Sequence, residues 1–364
     1  MKIGVDASRY NVKSGTGVEL YSVKIIHGLI EHFKKESDHE LVLYSPRKLM
    51  LFKARNIKHR VIPFKRLWTK VRLSWEMLFR RPDVLFVPSH VLPHFAPRRS
   101  VITVHDVAFM HMRKAYSLFQ YWYLKRETKR AVRKASTIIV PSEATKRDLK
   151  HFFKCPDEKV KVIYHGHDFK PAHIGSEFEN EFFERLGLKR SDHFFLFIGR
   201  LEAKKNIYRL MKAFRGFNEK FPHYKLLLAG SRGQGFSKIL KKSLKTDLFE
   251  NVFMPGYVTD KEKHVLLKYC SAFVFPSLYE GFGFPILEAY SYGKPVVTSK
   301  AASIPEVAGE GAVYVNPHSI ESIQEGLVRV IRGEEMKDAQ KSQLAKFKWE
   351  YAIKNTIELL LFTL

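Results

Sequence analysis

Cysteine is nearly missing from this sequence: Cys155 and Cys270 are the only two in 364 residues, and they lie far apart. That scarcity argues against a disulfide framework or a cysteine-based metal centre, and for a reducing compartment. No stretch approaches the roughly 18 uninterrupted apolar residues of a membrane-crossing helix. The opening residues, MKIGVDAS, enter a strand pattern directly, without the basic and apolar regions of a signal peptide. Asp-x-Asp does not occur, and neither internal repeats nor low-complexity segments are visible. Acids are also scarce, with 37 Asp and Glu against 63 Lys and Arg, a net charge of +26. Such an imbalance implies an anionic partner, whether nucleic acid, anionic lipid or a polyphosphate. No zinc-finger spacing or aromatic RNP-like motif accompanies it, so nucleic acid is not the expected partner.

What is present is apolar residue enough, 45% of the chain, over a length that suits two domains with a core each. The most informative stretch runs from Ser271 to Pro317. Ala272 to Phe275, Pro295 to Ser299 and Ala312 to Val315 read as short strands that are apolar throughout, as in a parallel sheet covered on both faces. Between the first two lies Glu280-Gly281-Phe282-Gly283-Phe284-Pro285, then Glu288 on a helix. Gly281 and Gly283 allow a sharp turn and close backbone approach, while Pro285 suits a first helical turn. The helix N-terminus therefore points at an anion. Glu280 and Glu288 are poor phosphate ligands but good acceptors for hydroxyls. A ligand with both phosphate and hydroxyls, of which a sugar nucleotide is the commonest, satisfies both halves. Taken singly, each Glu also reads as a solvated turn residue or a helix-end carboxylate.

Elsewhere the same grammar repeats. Met1 to Ala7 reads as a strand, and Gly15 and Gly17 precede an amphipathic helix from Val18; Leu20 stands where a dinucleotide fingerprint would have its third glycine. Leu41 to Tyr44, Val84 to Val87, Val101 to Val104, Ile138 to Pro141 and Val160 to Tyr164 read as strands, with Ser142 capping a helix. Thr103-Val104-His105-Asp106 ends at a strand's carboxyl edge, where ligands of open α/β sheets bind, and Asp106 is placed to hold the His105 imidazole. Residues 169–192 form a linker and a helix ending at Gly187. Phe194 to Ile198 and Leu226 to Gly230 continue the strands, Arg200, Lys204 and Lys205 make a cationic loop, and Thr259 to Glu262 has capping-box spacing. His165 and His167 read as structural, there being no third metal ligand nearby. From Phe64 to Phe79 the residues Phe64, Leu67, Trp68, Val71, Trp75, Leu78 and Phe79 share one helical face, among the bases of a cluster from Lys53 to Arg81. That face fits either an interfacial helix on anionic lipid or a core helix with a solvated basic side. A second basic cluster runs from Arg113 to Lys134.

The spacing from Glu280 to Glu288, with Gly-Arg-(x)4-Lys at Gly199, Arg200 and Lys205, resembles the retaining glycosyltransferases of family 4. The resemblance implies the GT-B fold, an α/β architecture of two Rossmann-like domains facing each other across a cleft. Residues 1–170 would form the acceptor-side domain, with 347–364 crossing back to it as a helix, and residues 171–346 the nucleotide-sugar domain. Arg200, Lys205 and the Gly15/Gly17 loop would hold the donor diphosphate with Gly281, Phe282 and Gly283; Tyr257 and Val258 would border the base. Glu280 would take hydroxyls of the donor sugar, Glu288 those of the ribose, and His105 the transferred sugar or the acceptor. The family usually has Asn where His165 stands. The implied activity is metal-independent, retaining transfer of a hexose, mannose favoured, with no cofactor beyond a nucleotide sugar. GDP-mannose is favoured over a UDP-sugar as donor. The acceptor would be a glycan or lipid-linked molecule of surface-polysaccharide or glycolipid assembly, met at the cytoplasmic face of an anionic membrane by the basic N-terminal half. A nucleic-acid-binding protein, a non-catalytic GT-B protein and a sugar-nucleotide epimerase are the competing readings.

Overall fold

Runs of Val, Ile, Leu and Phe, apolar on both faces, assemble into two parallel sheets. The computed structural model describes residues 1–10, 16–36, 38–49, 54–64, 67–246, 248–333 and 336–362, and Gly15, Lys53, Lys65 and Arg66 of the sequence reading lie outside them. The chain divides into two compact units: Met1–His111, Ser117–Gly166 and Phe347–Leu364 make the first, and Met112–Tyr116 with His167–Lys346 the second.

In chain order the first unit contains β1 (Lys2–Asp6), α1 (Gly17–Lys35), β2 (Glu40–Ser45), β3 (Ile57–Val61), α2 (Ser74–Phe79), β4 (Val84–Val87) and β5 (Ser100–Thr103). It continues with α3 (Ala108–His111), α4 (Leu118–Lys134), β6 (Thr137–Val140), α5 (Glu143–Phe153) and β7 (Val160–Val162). The second has α6 (Ser176–Arg185), β8 (His193–Ile198), α7 (Ile207–Asn218), β9 (Tyr224–Ala229), α8 (Phe236–Leu244), β10 (Val252–Gly256) and α9 (Asp260–Tyr269). It goes on through β11 (Ala272–Phe275), α10 (Phe284–Ser291), β12 (Val296–Ser299), α11 (Ile304–Ala308), β13 (Val313–Val315), α12 (Ile320–Ile331) and α13 (Lys337–Lys346); α14 (Trp349–Phe362) then returns to the first unit.

The strand orders are β3-β2-β1-β4-β5-β6-β7 and β10-β9-β8-β11-β12-β13, every named pair parallel. Both orders reverse once, between β1 and β4 and between β8 and β11. In open parallel sheets ligands bind outside the carboxyl ends at that reversal. The central strands are fully buried: Val84 to Val87 and Ala272 to Phe275 are 0% exposed throughout.

Local signals act as the residues require. Ser142 caps α5, and Thr259 with Glu262 forms a capping box on α9. Gly28 on α1 faces α14, where an added Cβ would stand 2.5 Å from the Ile353 side chain. The helical face read over residues 64–79 is split. A π turn (Thr69–Leu73) leads into α2, and Trp68, Leu73 and Met77 face the core. Phe64, Leu67, Val71, Trp75, Leu78 and Phe79 face outward. Among the described residues no helix is long and apolar enough to cross a membrane.

Candidate active site

In the second unit, the loops after β8 and β11 flank the reversal of strand order. After β8 comes Arg200, which is exposed, then a 3-10 turn over Ala203–Lys205. Asn206 closes this loop at φ +61°, a left-handed conformation that Asn tolerates better than most residues. Its buried amide donates to the carbonyls of Pro276 at 3.1 Å and Pro317 at 2.6 Å, and its Oδ1 accepts from Arg209 at 3.1 Å. The cationic loop is thereby tied to the ends of β11 and β13.

After β11 the loop carries Glu280, Gly281, Phe282 and Gly283, all buried. Gly283 caps α10 at φ +126°, which side-chain-bearing residues rarely adopt. Hydroxyls from β12 and beyond fix the loop: Thr298 donates to the Phe275 carbonyl at 2.8 Å and Ser299 to that of Ser277 at 2.5 Å. Ser303 Oγ stands 2.8 Å from the carbonyls of both Glu280 and Phe282.

The two loops meet in an ion pair. Lys205 Nζ donates to Glu280 Oε1 at 2.6 Å, with side chains 13% and 8% exposed, and Nζ also lies 4.8 Å from the centre of the Phe275 ring. Glu288 is paired in the same way, accepting from Lys263 at 2.9 Å. Lys263 sits 4.4 Å over the Phe169 ring, which itself stacks on His264 at 4.4 Å. Each carboxylate named from the sequence thus has a lysine poised beside it, a ready exchange partner for phosphate or hydroxyl. Tyr257 and Val258 follow β10, two strands from β8 on the same carboxyl edge; the Tyr257 ring is exposed.

In the first unit, Gly17 opens α1 behind the N-cap Thr16. His105 follows β5, and its Nε2 lies 3.0 Å from the Pro88 carbonyl at the end of β4. A carbonyl only accepts, so Nε2 carries the proton and Nδ1 keeps a lone pair for a ligand. The holder of Nε2 is thus Pro88, whereas Asp106 Oδ1 accepts from the Ala108 N–H at 3.0 Å. Burial pulls the His105 pKa down to about 4, so the ring is a neutral hydrogen-bonding group at physiological pH. Tyr21 lies edge-on to it at 4.9 Å and packs against His165 at 4.5 Å; Trp349 stacks on His165 at 6.2 Å. His165 is therefore part of a buried aromatic cluster. His167, in the second unit, meets Ser291 Oγ at 2.6 Å.

These histidines give the fold a pH dependence. Burial lowers the pKa of His105 and His167 to about 4 each and lowers that of His165 as well. Below the ordinary value near 6.5 the unfolded chain takes up protons that the folded chain refuses, so stability falls as pH drops from about 6.5 toward 4. His59, His90, His94 and His264 are lowered by burial as well and add to the decline, while buried Asp6, whose pKa is raised, works in the opposite sense. We expect an unfolding free energy, read from urea titrations, that declines by several kcal/mol over that window, on the order of 1.4 kcal/mol per group per pH unit. The slope should be shallower in His165→Asn; an unchanged slope in that variant would show that His165 is not buried neutral.

Several residues of the site were not legible beforehand. Asn206, Ser303, Lys263 and Pro88 act through carbonyls or carboxylates distant in sequence. Asp6, buried at the end of β1, accepts from Ser8 N at 2.9 Å and Thr69 Oγ1 at 3.0 Å.

Comparison with known proteins agrees with this geometry. Residues 17–170 match the family described as Glycosyltransferase Family 4, and residues 178–347 that described as Glycosyl transferases group 1. End to end the matches span nearly the whole chain, which belongs to the family 4 glycosyltransferases, enzymes of the GT-B fold. O-antigen chain mannosyltransferase B of Escherichia coli is 25% identical over 93% of this chain and 90% of its own. O-antigen chain mannosyltransferase RfbU of Salmonella typhimurium is 24% identical over 90% of each. The solved structure of Anabaena Alr3699/HepE in complex with UDP-glucose matches at a TM-score of 0.73 and 18% identity, covering 99% of both chains.

Proposed function

We propose that this glycosyltransferase moves a hexose, with mannose the favoured sugar, from a nucleotide diphosphate donor to a glycan or lipid-linked acceptor of surface-polysaccharide assembly, with retention at the anomeric carbon. The observation that carries this reading is the Lys205–Glu280 pair beside Arg200 at the reversal of strand order. A sugar diphosphate arriving there exchanges both partners at once: its phosphate takes the ammonium and its hydroxyls take the carboxylate.

In the reaction the bond from the anomeric carbon to the diphosphate oxygen breaks and the acceptor oxygen bonds to that carbon on the same face. The acceptor's proton passes to the departing diphosphate. Charge builds on the diphosphate as the bond breaks. Arg200 and Lys205, with the N–H groups of the Gly281–Gly283 loop, are the groups that stabilise it; such preorganised donors are each worth about 100- to 1000-fold in rate. Because these cations do the work of a Lewis acid, no metal is required. Glu288 takes the ribose, Tyr257 and Val258 border the base, and His105, neutral with a free Nδ1 lone pair, accepts from a sugar or acceptor hydroxyl.

The mannosyltransferases of comparable length favour mannose, and hence GDP-mannose over UDP-sugars; the HepE complex favours a nucleotide sugar in general. The basic N-terminal half favours a lipid-linked acceptor at the inner face of an anionic membrane, with the protein peripheral to it. Incubation with GDP-mannose, UDP-glucose and UDP-galactose, each with lipid-linked and soluble glycan acceptors, followed by proton NMR of the product, tests the reading. Transfer from GDP-mannose with an α-linked product is expected. A β-linked product, or transfer from a UDP-sugar alone, would refute retention or the donor assignment respectively.

A further inference from the structure

The outward row on residues 67–79 has no role in the site described above. Val71, Trp75 and Phe79 are spaced four apart along the π turn and α2, Leu67 stands just before the turn, and all four are exposed. The rings of Trp75 and Phe79 lie 5.5 Å apart and are 59% and 67% exposed. The opposite side of the same segment is already committed to the core through Leu73 and Met77, both 0% exposed. A single exposed leucine means nothing; a contiguous aromatic row does.

The adjacent row is cationic. Arg72 and Arg80 flank Glu76, and Arg60 reaches the same carboxylate from β3, at 3.8, 4.0 and 2.5 Å respectively. Glu76 is buried, so it orders three guanidiniums while cancelling only one of their charges. A second aromatic group stands close by, at the start of α4. Phe119 and Trp122 are 80% and 58% exposed, Lys125 lies 5.2 Å over the Trp122 ring, and Arg126 and Lys129 are exposed one turn on. Lys70 joins the two groups, donating to Glu127 of α4 at 2.7 Å and lying 4.7 Å over the Tyr123 ring.

We propose that this surface of the first unit docks on an anionic bilayer, with Trp75, Phe79, Phe119 and Trp122 entering the boundary between headgroups and acyl chains. Arg72, Arg80, Lys125 and Arg126 then meet the headgroup phosphates. Three observations favour a bilayer over a protein partner. The apolar side chains include amphipathic aromatics suited to that boundary. They are bordered by long cationic side chains that keep their charges outside while their stems cover apolar surface. The whole chain carries +26, which repels a second copy and attracts an anionic sheet. The proposal deepens the membrane-side reading above by naming the residues, and its test needs no substrate.

The chain contains four tryptophans; Trp75 and Trp122 are exposed on this surface, and Trp68 and Trp349 are buried. Fluorescence of the full chain, titrated with vesicles of phosphatidylcholine alone or mixed with phosphatidylglycerol, reads the docking directly. Mixed vesicles should shift emission to the blue, brominated acyl chains should quench it, and added salt should weaken binding. Neutral vesicles should bind at least tenfold more weakly, since several cations act together. The combined Phe79→Ser and Phe119→Ser variant, which keeps both reporters, should lose roughly tenfold or more in partitioning with its thermal midpoint close to the parent's. Equal binding to neutral vesicles, or unaltered binding by that variant, would overturn the proposal. So would a concentration-dependent dimer in sedimentation that the same substitutions abolish without any quenching, because the surface would then be a contact between copies. Transfer to soluble and lipid-linked acceptors, assayed alongside, separates the two readings: if it is absent with both while anionic vesicles still bind, the transferase reading fails and the docking surface stands.

Discussion

Lys205→Ala is expected to lower transfer by about 100- to 1000-fold and to destabilise the second unit at the same time. The two effects have separate origins. Catalysis loses the ammonium that would meet the leaving diphosphate. Stability falls because Glu280, 8% exposed, is left as a buried carboxylate without its 2.6 Å partner; breaking such a pair costs about 3–5 kcal/mol. A second variant distinguishes them. Lys205→Met with Glu280→Gln replaces the charged pair by neutral groups of similar size and should recover most of the stability, yet remain inactive. Urea unfolding gives the first quantity and initial rates the second. If the double variant were as active as wild type, neither side chain would take part in transfer.

The next largest effect is expected at Gly166, beside His165. An added Cβ there would stand 2.2 Å from the backbone nitrogen of Trp349 and 2.4 Å from its Cα. Main-chain atoms at the start of α14 have little room to yield, unlike the flexible tip of a side chain, so the substitution forces apart the strand-end loop and the returning helix. Overpacking of ordinary cores costs about 1–3 kcal/mol, and a main-chain clash of this depth belongs at or above the upper end. Gly166→Ala should therefore lower the thermal midpoint of the first unit by several degrees, using about 2–4 °C per kcal/mol for a unit of about 150–250 residues. Gly28→Ala, which meets only the Ile353 side chain at 2.5 Å, should be milder. A midpoint for Gly166→Ala within a degree of the parent's would mean that α14 does not pack there as described.

Much of the architecture was legible because parallel strands buried on both faces advertise themselves as short apolar runs. Ala272 to Phe275 and Val84 to Val87 appear where the sequence reading put them. β3, IKHRV, was not legible, because an edge strand needs no continuous apolar run; it lies at the end of the sheet order with a half-exposed pattern. α13 was missed for a related reason. It is polar, and what it buries are two amides, Gln340 donating to the carbonyls of Lys294 and Gly311 and Gln343 to those of Glu306 and Val307. Over residues 64–79 the helical period correctly grouped most of the apolar side chains, but period does not say which side faces in. The core side is set instead by Leu73 and Met77, and Trp68 turns inward while its neighbours turn out.

The site shows the same division. Arg200, Lys205, Glu280 and Glu288 were legible as residue types whose chemistry suits a sugar diphosphate. Their holders were not. Ser303 and Pro88 act through hydrogen bonds to or from main-chain carbonyls, and any sequence can supply those. Asn206 offers a weak local signal, since Asn is among the few residues that accept a left-handed turn, but its two acceptors lie 70 and 111 residues away.

The most direct measurement of the central claim is thermal unfolding with GDP, UDP and ADP, all at one concentration about 100 times the dissociation constant of the tightest, for the wild type and for Arg200→Ala. Arg200 is exposed, so its removal leaves the fold intact and isolates the binding role. One nucleotide, GDP by this account, should stabilise the wild type by roughly 2.7 kcal/mol and the variant by clearly less. Equal stabilisation of both proteins, or of neither, would contradict a diphosphate site at the end of β8.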